Sequence, residues 1–215
     1  MTALSTALND CLKELNLPTA RESVATVSRQ ATQEAHSYEQ FLLELLRLEC
    51  EGRQHRRIER LLRESRLPLE KSLEAFDLTR LPGKVRQQVS ALRDGAFVER
   101  RENVLAYGQP GSGKTHLLCA LCQELVRQGR RALYATCALL VQELLGAKRD
   151  LRLPQMLKRL ARYDVLLIDD LGYVRQDREE MEVLFTLLAE RYERGSVLIT
   201  SNYLSRNGKR SSKTR

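Results

Sequence analysis

The chain has 215 residues, 42% of them hydrophobic, which is enough to bury one sizeable core plus a smaller appended module. No stretch approaches the roughly eighteen consecutive apolar residues of a membrane span, and the N-terminus lacks a basic region followed by an apolar one, so a cytoplasmic protein with no membrane partner is expected. The formal charge of +8 is uneven: residues 1–100 carry 16 basic and 15 acidic side chains, residues 101–215 carry 20 and 13. That imbalance points to a polyanionic partner, with nucleic acid the first candidate and a merely solvated basic face the alternative.

Helical periodicity opens the chain, with Tyr38, Phe41, Leu42 and Leu45 following the i, i+3, i+4, i+7 pattern and Leu48, Ile58, Leu61 and Leu62 extending it. Arg53, Arg56, Arg57 and Arg60 fall along one side of that helix. They read either as a DNA-facing stripe or as a solvated face, since Glu51 and Glu59 are interleaved. Pro68 and then Pro82-Gly83 interrupt the pattern and place a module boundary between residues 66 and 83. Beyond it, short apolar runs at 103–107, 132–135, 165–168 and 197–200 alternate with helical stretches. This is the signature of a parallel sheet covered on both faces, with ligands at the carboxyl ends of its strands.

Between the first of these runs and a helix expected over 114–128 lies Gly108-Gln109-Pro110-Gly111-Ser112-Gly113-Lys114-Thr115. The spacing G-x-x-x-x-G-K-T suits a triphosphate. Glycines let successive backbone N–H groups converge on phosphate oxygens, Lys114 reaches the β- and γ-phosphates, and Thr115 offers a hydroxyl to Mg²⁺. ATP and Mg²⁺ are the expected cofactors. Independent support comes from Asp164-Val165-Leu166-Leu167-Ile168-Asp169-Asp170, a buried strand delivering two carboxylates: Asp169 to hold Mg²⁺, Asp170 to orient or deprotonate the attacking water. Asn202, after the last apolar run, is placed to contact the γ-phosphate or its water. Cys119 and Cys122 form a C-x-x-C pair without a second Cys or His pair nearby and read as buried thiols. His36, His55 and His116 read as structural.

Taken together, Gly108 to Leu117, Leu167-Ile168-Asp169-Asp170-Leu171-Gly172-Tyr173 and Ile199-Thr200-Ser201-Asn202 resemble the IstB-like transposition helper ATPases, and Arg66-Leu67-Pro68 with Lys71 to Asp77 is similar to that family's link between helical module and core. The likeness covers about residues 35–204 and implies an α/β P-loop NTPase core of the AAA+ type, its parallel sheet covered by helices, behind an N-terminal all-helical module. Domains are expected at 1–75 (helical, binding DNA or a partner), 76–204 (ATPase core) and 205–215 (basic disordered tail). The resemblance also implies a homo-oligomer on double-stranded DNA, serving the transposase of the same element. By position, Lys114 and Thr115 bind nucleotide and metal, Asp169 is the metal carboxylate, Asp170 the catalytic acid position, and Asn202 the sensor. A DnaC-like helicase loader with the same core is the alternative function. After Leu204 the sequence departs from the family pattern, which implies a copy shortened before its arginine finger. A non-hydrolysing ATP- and DNA-binding remnant is then a further alternative, with Arg191 and Arg194 the substitute fingers at hand.

Overall fold

The structure, a computed structural model, describes residues 3–172 and 177–202. Tyr173, Tyr203, Leu204 and the expected tail at 205–215 lie outside the described residues. Contacts divide the chain into two compact units, one up to Arg60 and one from Leu61.

The first unit is helical. Helix α1 (Ala3–Glu14), helix α2 (Pro18–Gln33) and the greater part of helix α3 (Tyr38–Ser65) enclose a small core of Leu12, Ala20, Val27 and Leu45. Pro18 at the first position of α2 has no N–H to leave unpaired. The next two amides, Thr19 and Ala20, donate to Glu49 Oε2 on α3 at 2.8 and 3.0 Å. Glu49 is 2% exposed, and its other oxygen accepts from Arg53 and Arg56. Two of the four arginines on the expected stripe are thus committed to an internal carboxylate.

The second unit begins inside α3, and Leu61 and Leu67 join its core. Helix α4 (Gly83–Arg93) and the short helix α5 (Ala96–Glu99) lead into strand β1 (Val104–Tyr107). Helix α6 (Lys114–Arg127), strand β2 (Ala132–Thr136), helices α7 (Cys137–Arg149) and α8 (Leu153–Leu160), strand β3 (Val165–Leu171), helix α9 (Arg178–Arg191) and strand β4 (Ser196–Ser201) follow.

The strands form a parallel sheet in the order β1-β4-β3-β2. Alternate residues of β3 feed opposite faces, as the two-residue period of a strand requires. Val165 and Leu167 join a core with α4, α5 and α6; Leu166 and Ile168 join another with α7, α8 and α9. The α/β architecture is therefore as read from the sequence, with helices on both faces of a parallel sheet.

The β3–β4 ladder is regular as far as Ile168↔Ile199 and resumes at Leu171↔Ser201, so Asp169 and Asp170 together face the single residue Thr200. This is a β-bulge, with Asp170 at φ +59°. No described helix is long and apolar enough to cross a membrane.

Candidate nucleotide and metal site

The loop from Gly108 to Gly113 runs from the carboxyl end of β1 into the N-terminus of α6. Gly111 and Gly113 adopt φ +77° and +86°, values a side chain would strain. At Gly113 space forbids one too, since a Cβ there would lie 2.9 Å from the Phe76 ring. Lys114 Nζ donates to the carbonyls of Gly108 (3.0 Å) and Gln109 (2.8 Å) and to Ser112 Oγ (3.4 Å). All three partners are uncharged, so the loop concentrates a cation, the first amides of α6 and the positive end of its dipole in one place.

The segment ahead of α4 lies across the start of α6. Buried Gln123 donates Nε2 to the carbonyls of Pro68, Leu69 and Lys71. His116 Nε2 lies 2.9 Å from the Ser72 carbonyl, and its ring meets Phe76 edge-on. His116 thus fixes this segment onto the P-loop helix.

Thr115 Oγ1 donates to Asp169 Oδ1 at 2.7 Å, joining the loop to β3 across 54 residues of sequence. Asp169 is 4% exposed and also accepts from Thr200 Oγ1 at 2.5 Å and, on Oδ2, from Tyr134 Oη at 3.0 Å. Burial, reinforced by Asp169 beside it, pushes the Tyr134 phenol well above its ordinary pKa, so that hydroxyl remains a proton donor. Thr200 Oγ1 in turn accepts from the Asp170 amide at 2.9 Å. The Asp170 side chain is exposed, and the Asn202 amide donates to its Oδ1 at 3.5 Å, the outer limit of a hydrogen bond.

The candidate nucleotide and metal residues therefore gather at the carboxyl ends of adjacent strands, in two groups: Lys114, Thr115 and Asp169, and then Asp170 with Asn202. Sequence reasoning passed over Tyr134 and Thr200. Each is one hydroxyl residue in a strand, and only the order β4-β3-β2 brings both to Asp169.

The donor set fits Mg²⁺. A carboxylate and a hydroxyl are hard oxygen ligands, whereas the nearby Cys119 thiol is pushed up to about 12 by burial and stays protonated. Arg191 corrects an expectation. It is 2% exposed, and its guanidinium donates to the carbonyls of Leu160, Tyr163, Asp164 and Ser196, so it is a structural clamp and no finger for a neighbouring subunit.

Comparison with known proteins finds relatives by sequence and neighbours by fold. The insertion sequence IS21 protein of Pseudomonas aeruginosa is 40% identical over 191 residues, 89% of this chain and 72% of that one. The insertion-sequence protein y4iQ/y4nD/y4sD of Sinorhizobium fredii is 39% identical over 192 residues, 89% of this chain and 64% of its own length. Among solved structures, AMPPCP-bound DnaA from Aquifex aeolicus (TM-score 0.56, 21% identity, 64% of this chain and 44% of that one) and the DnaC helicase loader (TM-score 0.55, 21% identity, 64% and 80%) share the fold. Residues 10–207 match the IstB-like ATP binding proteins, and the chain belongs to that family.

Proposed function

We propose that this chain binds ATP with Mg²⁺ and hydrolyses it as the helper protein of an insertion sequence, working as a homo-oligomer on double-stranded DNA with the transposase of the same element. The observation that carries the nucleotide reading is the 2.7 Å hydrogen bond between Thr115 and Asp169 beside the uncompensated Lys114 ammonium. It joins a phosphate-binding loop to a metal-binding carboxylate. The insertion-sequence relatives support the transposition reading over helicase loading, for which the DnaC likeness offers the fold alone. The domain roles go with it: the helical segment up to residue 75 contacts DNA or the partner, and residues 76–204 turn over nucleotide.

In the site, the amides from Gly108 to Gly113 cradle the phosphates, and Lys114 turns from the Gly108 and Gln109 carbonyls to the β- and γ-phosphate oxygens. Thr115 and Asp169 would hold Mg²⁺, which would supply positive charge to offset the phosphate oxygens. Asp170 is exposed at the strand end, where it can accept a proton from a water, while Asn202 orients the Asp170 carboxylate. The Phe76 ring lies against Gly113 and His116, where the loop passes into α6.

Titration of a fluorescent ATP analogue, followed by steady-state hydrolysis with and without duplex DNA, tests this reading. Lys114→Ala should weaken nucleotide binding by on the order of tenfold to a hundredfold, the value of one or two charge-assisted hydrogen bonds. Turnover that depends on Lys114 and rises with DNA supports a helper ATPase. Wild-type protein that binds no nucleotide would overturn the reading.

A further inference from the structure

Asp169 and Asp170 are consecutive, and in a regular strand their side chains would leave opposite faces of the sheet. Continued without interruption, the alternation of β3 would send Asp170 toward the apolar core that holds Leu166 and Ile168. The bulge prevents this. Two residues of β3 face one of β4, Asp170 takes φ +59°, and its side chain reaches solvent near Asn202.

A bulge leaves a backbone N–H without its ladder partner, and here the orphan is supplied by a side chain. The Asp170 amide donates to Thr200 Oγ1 at 2.9 Å, and the same hydroxyl donates its proton to Asp169 Oδ1 at 2.5 Å. Thr200 is fully buried. One hydroxyl thus fixes the backbone of one carboxylate residue and the side chain of the other. Beyond it, Ser201 Oγ donates to the Leu171 carbonyl at 2.9 Å and closes the bulge. From the other neighbouring strand, Tyr134 Oη holds the second oxygen of Asp169.

We infer that Thr200, with Tyr134 in support, is a positioning residue for metal binding: the two hydroxyls from β4 and β2 lock the plane of the Asp169 carboxylate, and Thr200 sets the bulge that separates its task from that of Asp170. The inference rests on the nucleotide and Mg²⁺ reading of the site. Residues that orient a metal ligand through hydrogen bonds commonly change metal affinity by about tenfold to a hundredfold when removed.

The test uses the full chain as wild type, Thr200→Val, Thr200→Ser and Tyr134→Phe. Valine keeps the shape of threonine and removes the hydroxyl; serine keeps the hydroxyl. In nucleotide-free protein, hydrogen exchange at the Asp170 amide should speed up by about tenfold or more in Thr200→Val and stay near wild type in Thr200→Ser. In analogue titrations, the Mg²⁺ concentration giving half-maximal enhancement of binding should rise by about tenfold in Thr200→Val and about threefold in Tyr134→Phe, with Mg²⁺-free nucleotide affinity unchanged.

Mg²⁺ dependence equal to wild type in both variants, with nucleotide binding intact, would overturn this inference and leave the functional reading standing. So would a parallel fall in Mg²⁺-free and Mg²⁺-bound affinity, the mark of hydroxyls that merely hold the fold. Should Thr200→Val fail to fold, the partly buried Tyr134 still decides the matter through Tyr134→Phe. Wild-type protein that binds no nucleotide overturns inference and reading together.

Discussion

Arg191 shows how far a side chain's task can depart from its type. Arginine at the end of a helix is ordinarily solvated and favours the negative end of the dipole. Here α9 delivers it to the amino ends of the central strands β3 and β4, where its two terminal nitrogens donate to four carbonyls. Burial draws its pKa down to about 10, with Asp164 opposing the shift, yet the group remains charged at neutral pH. Gly195 belongs to the same arrangement, since a Cβ there would clash with the guanidinium. Arg191→Lys should therefore be costly despite conserving charge, because a single ammonium cannot reach carbonyls spread across the fork. A loss of about 3 kcal/mol is expected, the range for breaking a buried charged network. Urea denaturation of the purified variant would measure it, and a loss below about 0.5 kcal/mol, the usual value at an exposed site, would contradict the clamp. Such a role is not legible in sequence, where Arg191 and Arg194 look alike. The structure separates them, since Arg194 pairs with Glu190 at the surface.

At the scale of elements, legibility follows locality. The P-loop and the β3 strand were readable because each is a contiguous run whose chemistry and context lie within a dozen residues. Tyr134 and Thr200 were not, because strand order alone sets them on either side of Asp169. Glu49 is a second case. Its sequence context is an arginine-rich helix face, and nothing local says that it caps the N-terminus of α2 from thirty residues away. Burial opposes ionisation of Glu49, but the Ala20 and Thr19 amides and the Arg53 and Arg56 guanidiniums outweigh it and hold the pKa below the usual carboxylate value of 4.5. A carboxylate with a depressed folded pKa lends stability that is fully present above its unfolded pKa and is lost as pH falls through the folded one. Arg53 and Arg56 are about half exposed, so solvent screens much of their share and the two amides carry the larger part. Glu49→Ala should cost about 2 kcal/mol at pH 7, a lost cap plus a lost charge-assisted bond. The difference between wild type and variant should shrink as pH drops below about 4.5. Circular dichroism melts at pH 7 and pH 3.5 would show it, and a difference that stays constant with pH would mean that the carboxylate's charge is immaterial.

For the whole molecule, the decisive property is the charge distribution, because it bears on the proposed DNA partner without requiring any particular arrangement of the two units. The first hundred residues are nearly balanced, and part of their arginine complement faces inward to Glu49. The surplus of 20 basic over 13 acidic side chains lies from residue 101 onward, five of its seven charges in residues 205–215. If that surplus meets duplex phosphates, binding must release counterions, and log K must fall with log salt at a slope of about −0.9 per phosphate neutralised. Five contacts would give a slope of about −4.5, or roughly a 500-fold loss of affinity between 50 and 200 mM salt. An assembly of several copies should be steeper still and should sharpen when ATP is present, because neighbouring subunits then add their contacts to one continuous DNA. Fluorescence anisotropy on a labelled duplex, repeated across salt with ATP, ADP and no nucleotide, separates the possibilities. A steep slope that deepens with ATP ties DNA binding to an ATP-loaded oligomer. A slope near zero would show that the basic surplus is a solvated face, and the polyanion reading would fall while the nucleotide site, resting on Lys114, Thr115 and Asp169, would not.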